Sequence, residues 1–155
     1  MTKIKVAING FGRIGRNFFR QALESDKIEI VAINDLTDVK TLAHLLKYDS
    51  THGILTNKVI PSGNNILVDS TEIPVYSCPN PQELPWKALD VDVVLESTGR
   101  FLKNEQALQH VIAGAKKVVI SAPSPDAKTI VLGVNNEVSQ RMTLYFLTHL
   151  VRLIV

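Results

Sequence analysis

The sequence has a single cysteine, Cys78, among its 155 residues. One thiol cannot form an internal disulfide, and it supplies no cluster of thiolate metal ligands. The four histidines do not provide a metal site either, because His44, His52, His110 and His149 lack the spacing of metal ligands. We therefore exclude a disulfide-stabilised secreted domain and a structural zinc site. Cys78 lies in a loop with no histidine nearby in the sequence and is interpreted as incidental.

A large charge of one sign and a long apolar run are also lacking. The formal net charge is +2 and Lys and Arg are not clustered, so neither nucleic acid nor an anionic membrane is favoured as a partner. Met1–Ile4 leads straight into a strand pattern, without the apolar region of a signal peptide. The longest apolar stretch, Leu144–Val155, contains His149 and Arg152 and is too short to span a bilayer. The expected location is the cytoplasm.

Apolar periodicity predicts an alternation of strands and helices along the chain. Residues Phe11–Glu24 have helical spacing, and Asp38 is a suitable N-cap for a second helix that runs to Lys47. Strands are further predicted at Lys3–Asn9, Ile28–Ile33, Asp92–Glu96, Val118–Ser121 and Ile130–Leu132, and a helix at Asn104–Ala113. Strand–helix–strand alternation indicates βαβ units and hence a parallel sheet.

The stretch between residues 53 and 76 departs from this alternation. Three short β-rich runs, Leu55–Ile60, Asn65–Val68 and Ile73–Tyr76, are separated by turn sequences. This spacing predicts a small antiparallel meander, followed by a proline-rich connection from Pro79 to Pro85.

The first strand and helix are joined by the glycine-rich turn Gly10-Phe11-Gly12-Arg13-Ile14-Gly15. In a dinucleotide-binding turn, the first glycine allows the tight bend, the second lets the backbone approach a pyrophosphate, and the third lets the helix pack close to the sheet. The helix would direct its free N–H groups at the phosphates. The alternative is a glycine-rich turn needed only for folding. The order strand, turn, helix, strand favours the first interpretation and predicts an α/β fold: a Rossmann-type, doubly wound, mostly parallel sheet with a small antiparallel meander insertion.

Two polar residues, Asn34 and Asp35, end the second strand, with Asp35 twenty residues after Gly15. An acid at this place accepts hydrogen bonds from the adenosine ribose hydroxyls and repels a 2′-phosphate, which favours NAD over NADP as cofactor. Taken alone, Asp35 would be read as an ordinary strand-end acid. Its position after the glycine turn favours the functional interpretation.

Small polar residues follow two later strands. Ser97, Thr98 and Gly99 come after the strand that ends at Glu96, and Ser121 ends the next one. Ligands of doubly wound sheets bind beyond the carboxyl ends of the strands, so these residues are expected on the cofactor side. The alternative for each hydroxyl is a capping role without a ligand.

Several segments, in order, resemble glyceraldehyde-3-phosphate dehydrogenase. They are Val6–Arg16, Ala32–Asp35, Leu46–Gly53, Glu96–Phe101, Gly114–Val118 and Ser121–Ser124, within a resemblance that runs from about Lys3 to Gln140. It implies that residues 3–140 are the NAD-binding domain of a glycolytic oxidoreductase. The family is homo-oligomeric, although self-association of this chain alone is not expected.

The resemblance also implies roles for individual residues. Arg13 and Ile14 are expected at the helix N-terminus against the NAD pyrophosphate, and Asp35 at the adenosine ribose. The residues expected to border the adenine are Thr98, Gly99 and Phe101, and Ser121 is expected near the nicotinamide. Where many members have a basic residue near the adenine, this chain has Cys78-Pro79. A contact made there through the backbone is therefore retained, and one made through a basic side chain is not.

The family's catalytic segment, Ser-Asn-Ala-Ser-Cys-Thr-Thr-Asn-Cys, is not found after Gln140. Its first cysteine attacks the aldehyde, hydride passes to NAD, and phosphate cleaves the resulting thioester. Phe146–Val155 is compatible with the codons TTT CTA ACG CAT CTT GTA CGA CTA ATT GTn. Reading these codons from the third base of the Phe146 codon gives TCT AAC GCA TCT TGT ACG ACT AAT TGT, which encodes the missing segment. We therefore expect a frameshift near Gln140–Arg141, either real or a sequencing error; the alternative is a genuinely divergent terminus.

A frameshift would make residues 141–155 an aberrant tail and leave the chain without a catalytic domain. This tail is apolar and β-rich, so it is expected either to promote aggregation or to pair with the sheet edge in place of the family's missing strand. The favoured function is NAD binding without catalysis. The alternatives are a non-catalytic fragment that associates with full-length subunits and a non-functional truncated product.

Overall fold

The chain begins with the βαβ unit that its sequence predicts. The computed structural model describes residues 2–130 and 144–147. β1 (Ile4–Asn9) leads through the glycine turn into α1 (Arg13–Leu23), which returns the chain to β2 (Ile28–Asn34). β1 and β2 pair in parallel, with Asn9 opposite Asn34. The polar residues that end these two strands therefore lie side by side.

The second helix, α2 (Val39–Lys47), begins at the predicted cap. The carboxylate of Asp38 accepts a hydrogen bond from the Thr41 N–H at 2.9 Å. A short hairpin of β3 (Tyr48–Asp49) and β4 (Gly53–Ile54), which the sequence analysis did not predict, follows the helix.

The meander is formed by β5 (Val59–Ser62), β6 (Asn65–Val68) and β7 (Thr71–Tyr76), paired antiparallel. Its first strand begins later than the predicted Leu55. The Leu55 N–H donates to the Lys47 carbonyl, and the Leu55 carbonyl accepts from the Lys47 ammonium at 2.7 Å. The backbone of Leu55 is thus bound to the end of α2 and is not free to pair with β6.

The alternation then resumes with elements close to the predicted ones. A 3₁₀ turn at Pro81–Glu83 is followed by β8 (Val93–Glu96), α3 (Asn104–Ile112), β9 (Lys117–Ile120) and β10 (Thr129–Ile130). The end of the last predicted strand, Leu132, lies outside the described residues. None of the helices in the described ranges is long and apolar enough to cross a lipid bilayer.

The described strands, with β11 (Leu144–Leu147), form one sheet in the order β10-β11-β9-β8-β1-β2-β7-β6-β5, beside the separate β3–β4 hairpin. The strands from β10 to β7 run parallel, and β6 and β5 extend the sheet antiparallel. This confirms the predicted α/β class and the meander. The chain leaves β1 toward β2 on one side and later returns to β8 on the other. A crevice is expected where the strand order reverses, at the carboxyl ends of these strands.

The tail contributes a strand to the parallel part of the sheet. β11 lies between β9 and β10 and pairs in parallel with both, with Phe146 opposite Ile120 and Thr129. Residues 144–147 therefore pair with the sheet, although they lie between β9 and β10 and not at the sheet edge as predicted. The other residues of the predicted aberrant segment 141–155 lie outside the described ranges.

Each face of the sheet has its own hydrophobic core. Ala7 of β1 packs in one cluster with Trp86 and Val118, and the next residue, Ile8, packs in the other with Phe19 and Leu42. This alternation is the two-residue period of a strand covered on both faces. Apolar side chains therefore dominate the middle of these strands, and buried polar side chains such as Asn9 and Asn34 lie at the strand ends.

Candidate functional site

A cavity of about 330 Å³ opens at the carboxyl ends of β1, β2 and β8. It lies at the place where the strand order reverses, as the doubly wound topology requires. The residues that line it come from the ends of β1 and β2 and from the loops after β1, β2, β7 and β8: Asn9, Gly10, Gly12, Asn34, Asp35, Leu36, Thr37, Cys78, Pro79, Ser97, Thr98, Arg100 and Phe101.

The three glycines of the turn have different surroundings. A Cβ on Gly10, whose φ is +92°, would lie 2.6 Å from the Thr98 nitrogen, and a Cβ on Gly15 would lie 2.3 Å from the Gly10 carbonyl oxygen. A Cβ on Gly12 would meet nothing within 4 Å. Gly10 and Gly15 are thus required by packing, whereas the space beside Gly12 is open toward the cavity. This is the division of roles predicted from the sequence.

The N-terminus of α1 is left open toward a ligand. Gly12 is the N-cap residue and has no side chain to bond the first N–H groups, and no acid lies in the first turn. The first N–H groups of any helix have no partner within the helix, and they carry the positive end of its dipole. An anionic group such as a pyrophosphate fits this end of α1.

Asp35 holds the glycine turn against the loop after β2. Its Oδ2 accepts from the Phe11 N–H at 2.7 Å, and its Oδ1 accepts from the Thr37 N–H at 2.9 Å. Each carboxylate oxygen can accept a second hydrogen bond. Asp35 therefore lies on the cavity with the capacity to accept bonds from ribose hydroxyls.

The hydroxyls after β8 are engaged within the protein. The Ser97 hydroxyl donates to the Gly10 carbonyl at 2.6 Å, and the Thr98 hydroxyl donates to Glu96. Both residues line the cavity, but their hydroxyl protons bind the protein itself, which favours the capping alternative for those protons. The Ser121 hydroxyl donates to the Glu96 carbonyl at 3.0 Å, and Ser121 does not line the cavity.

The structure brings only part of the predicted set to this cavity. Of the predicted residues, the cavity is lined by Gly10, Gly12, Asn34, Asp35, Ser97, Thr98 and Phe101, and not by Phe11, Arg13, Ile14, Gly15, Gly99 or Ser121. The Phe11 ring is 1% exposed and packs edge-on against Phe19, with 5.6 Å between ring centroids. The ring therefore belongs to the core and the backbone N–H bonds Asp35, while the role of Phe11 in cofactor binding stays a prediction.

The lining residues that the sequence analysis did not select are Asn9, Leu36, Thr37 and Arg100. Cys78 forms part of the cavity wall, in the loop that the family resemblance places near the adenine. The amide of Asn34 holds it there by accepting from the Cys78 N–H and donating to the Cys78 carbonyl, both at 2.9 Å. The available signal was that Asn9 and Asn34 end two apolar strands at the same edge of the sheet.

A half-buried cation, Arg16, lies beneath the glycine turn. The guanidinium of Arg16 donates to the Phe11 carbonyl at 2.8 Å. Burial lowers the pKa of Arg16, while the carboxylates of Asp49 and Asp35 act in the opposite direction. Arginine remains charged in proteins, so this side chain adds positive charge behind the turn.

Comparison with known proteins gives a consistent result. A family model described as glyceraldehyde 3-phosphate dehydrogenase, NAD binding domain, matches residues 4–104. The glyceraldehyde-3-phosphate dehydrogenase of Geobacillus stearothermophilus is 58% identical over 135 residues, which cover 86% of this chain and 40% of that relative. The enzyme of Clostridium pasteurianum is 56% identical over 134 residues, 86% of this chain and 40% of the relative. The enzyme of Mycoplasma pneumoniae is 52% identical over 137 residues, which cover 87% of this chain and 41% of that relative.

The chain spans about 40% of the length of the curated relatives that it matches. The family model covers more than half of this chain and includes the glycine turn, Asp35 and the strand end at Glu96. The resemblance found in the sequence motifs is thereby confirmed, and the chain belongs to the family of the glyceraldehyde 3-phosphate dehydrogenase NAD binding domain.

Proposed function

We propose that this chain binds NAD in the cavity at the ends of β1, β2 and β8. The observation that carries the proposal is the meeting, at one cavity, of the open N-terminus of α1 at Gly12 and the carboxylate of Asp35. A helix N-terminus suits a pyrophosphate, and an acid at the end of the second strand suits ribose hydroxyls. Both features are needed for a dinucleotide, and neither alone identifies one.

The other lining residues suit the rest of the dinucleotide. Phe101 and Leu36 offer apolar surface for a flat base, and Cys78-Pro79 offers backbone groups without a basic side chain. Asp35 also opposes a 2′-phosphate, so NAD is expected to bind more tightly than NADP. When bound, NAD supplies a nicotinamide that accepts hydride; in the proposed assignment this chain holds and orients it.

Calorimetric titration of the folded 155-residue chain tests the assignment. Saturable binding of NAD, with weaker binding of NADP, is the expected result. If circular dichroism shows that the sample is folded and titration with NAD gives no heat of binding, the proposal is refuted. Equal affinity for the two cofactors would refute the role given to Asp35 while leaving the cavity as the site.

We also propose that residues 3–140 are the cofactor-binding half of a cytoplasmic, glycolytic glyceraldehyde-3-phosphate dehydrogenase, and that residues 141–155 result from a frameshift. The single cysteine supports this division, because Cys78 is the one thiol in the sequence and does not belong to the family's catalytic segment. It lies at the cavity instead, where its thiol is 3.1 Å from the Asn80 carbonyl. These 155 residues alone are then expected to bind NAD without oxidising an aldehyde. The coding DNA tests the frameshift, since codons that do not spell the missing segment in the shifted frame would refute it.

Association with full-length subunits is a second candidate function. Ile54 and Ile112 are large apolar side chains that are 66% and 69% exposed in this chain, and the family suggested by the sequence is homo-oligomeric. Co-purification of this chain with a full-length subunit from its source cells is the expected result. Its consistent absence, when both proteins are present and folded, would refute this candidate.

A further inference from the structure

Three buried side chains form a polar row behind the wall of the cavity. Glu96 ends β8, His110 lies on α3, and Trp86 follows the 3₁₀ turn. The side chains of Glu96 and His110 are fully buried, and Trp86 is fully buried as well. Polar groups at this depth destabilise a fold unless they are hydrogen-bonded. The hydrogen bonds of these side chains therefore show which residues the row holds in position.

Trp86 fixes the tautomer of His110. The indole nitrogen can only donate, and it lies 3.0 Å from Nδ1 of His110. Nδ1 must therefore accept, and the proton of the neutral ring is on Nε2. Nε2 lies 2.8 Å from Oε2 of Glu96 and donates to it. The indole also stacks on the imidazole, with ring centroids 6.3 Å apart and planes inclined by 29°.

Glu96 is the common acceptor of this network. Its Oε2 accepts from His110 and from the Asn9 amide at 2.6 Å, and its Oε1 accepts from the N–H and the hydroxyl of Thr98. Both partners of Oε2 are nitrogen donors, so this oxygen acts only as an acceptor. The bonds to Glu96 hold Asn9 and Thr98 in fixed positions relative to β8.

Two branches of the network reach the cavity. One ends at Thr98, which lines the cavity directly. The other passes from Asn9, whose Oδ1 accepts from the Asn34 amide at 2.7 Å, to the two bonds between Asn34 and the Cys78 backbone. The strand ends of β1 and β8 and the loop at Cys78 are thus fixed by a single buried chain of hydrogen bonds.

We infer that His110 is a positioning residue for cofactor binding, although it does not line the cavity. Held by Trp86, it orients Glu96, and Glu96 in turn sets the positions of Thr98 and of the pair Asn9–Asn34. His110 also meets Phe101 of the cavity wall edge-on, with ring centroids 6.4 Å apart. The inference rests on the proposed NAD site and adds the hydrogen-bond network that holds the residues of that site in position.

The test compares the 155-residue chain with His110→Phe, His110→Gln and a core control, Val91→Ala. Phenylalanine fills the space of the imidazole without polar atoms, and glutamine restores one acceptor and one donor. Val91 is buried in the same hydrophobic cluster as Trp86 and has no polar side chain. Each affinity for NAD is measured by calorimetry at a temperature where circular dichroism shows the variant folded. His110→Phe is expected to weaken binding about tenfold, which corresponds to ~1.4 kcal/mol. His110→Gln is expected to recover most of this loss, and Val91→Ala to bind as the unsubstituted chain does.

A second measurement does not depend on the cofactor. The imidazole ¹⁵N spectrum of His110 is expected to show the Nε2–H tautomer, which both the Trp86 donor and the Glu96 acceptor require. If His110→Phe does not fold, Trp86→Phe is titrated in its place and is expected to weaken NAD binding by a smaller factor.

Three results would overturn the inference: unchanged affinity in folded His110→Phe, an equal loss in Val91→Ala, or the Nδ1–H tautomer. An unsubstituted chain that fails to bind NAD would instead refute the proposed function. In that case the imidazole spectrum would still decide whether the network has the stated geometry.

Discussion

The glycine turn before α1 and the buried network behind β8 border the same cavity but are assembled from different ranges of the sequence. The turn is contained in Gly10–Gly15. The network joins Asn9, Trp86, Glu96 and His110, and its hydrogen-bond partners are separated by up to 87 residues. The turn provides an open backbone for an anion, whereas the network provides fixed positions for the walls.

This difference determines which mutations harm the fold and which harm the site. Within the turn, the space around Gly10 is filled by backbone and the space around Gly12 is open. In the network, each polar group has a partner that would be left unsatisfied by its loss. Stability and affinity are therefore expected to separate within the turn and to change together in the network.

Gly10→Ala is expected to have the largest effect on stability. The new Cβ would lie 2.6 Å from the Thr98 nitrogen, at a residue whose φ is +92°. Strain and overpacking together are expected to lower the free energy of unfolding by about 3 kcal/mol or more. Gly12→Ala is the matched control and is expected to change it by less than about 0.5 kcal/mol. Urea denaturation measures both, and equal losses would contradict the division of roles.

Glu96→Gln is expected to come next. The amide nitrogen would face donors at one of the two positions where the carboxylate now accepts. Leaving a buried donor unsatisfied is expected to cost about 1–3 kcal/mol. Glu29→Gln, at an exposed position of β2, serves as the control. If urea denaturation gives the same stability for both variants, the donors around Glu96 do not require two accepting oxygens at this position.

Asp35→Asn is expected to act mainly on affinity. The amide can still accept one backbone N–H, but it loses the charge that strengthens bonds from ribose hydroxyls. Binding of NAD is expected to weaken about tenfold, or ~1.4 kcal/mol, and discrimination against NADP to decrease. The comparison is with Asp38→Asn, since Asp38 is an exposed helix cap outside the cavity. An affinity for NAD that is the same in both variants by calorimetry would remove Asp35 from the site.

The smallest effect concerns pH and lies away from the cavity. The backbone N–H of His52, followed by that of Thr51, lowers the pKa of Asp49 to about 2 from an ordinary 3.8. A carboxyl whose pKa is lowered on folding stabilises the fold above its unfolded pKa, and this contribution is lost as the pH falls from about 4 to about 2. Asp49→Asn is expected to reduce the loss of stability over that range in urea denaturation. An unchanged pH dependence would show that Asp49 makes no contribution.

The sequence predicts the parts of the fold that depend on neighbouring residues. The βαβ unit, the cap at Asp38 and the meander follow from periodicity and turn chemistry, and the glycines of the turn have the roles that their spacing implies. The β3–β4 hairpin was missed because its strands are two residues each, too short for a periodic pattern. The start of β5 was misplaced because Leu55 bonds to the end of α2.

The cavity walls were predictable only in part. Asp35, Thr98 and Phe101 were found through their place after strands or through the family resemblance. Cys78 was expected near the adenine only through the resemblance, because the residue that fixes its backbone, Asn34, is 44 positions away. The partnership of Trp86 with His110 left no local signal, since neither residue belongs to a motif and only the packing of α3 brings them together.

The measurement that tests the location of the NAD site most directly is a pair of experiments on Gly12→Val. Gly12 has an extended backbone with φ −76°, and the space beside it is open, so the fold accepts valine. Urea denaturation is expected to give nearly the same stability as for the unsubstituted chain. Calorimetry is expected to show NAD binding weakened by at least about tenfold, because the side chain would occupy the approach of the pyrophosphate to α1. A stable Gly12→Val chain that binds NAD as tightly as the unsubstituted one would contradict the assignment of this cavity as the cofactor site.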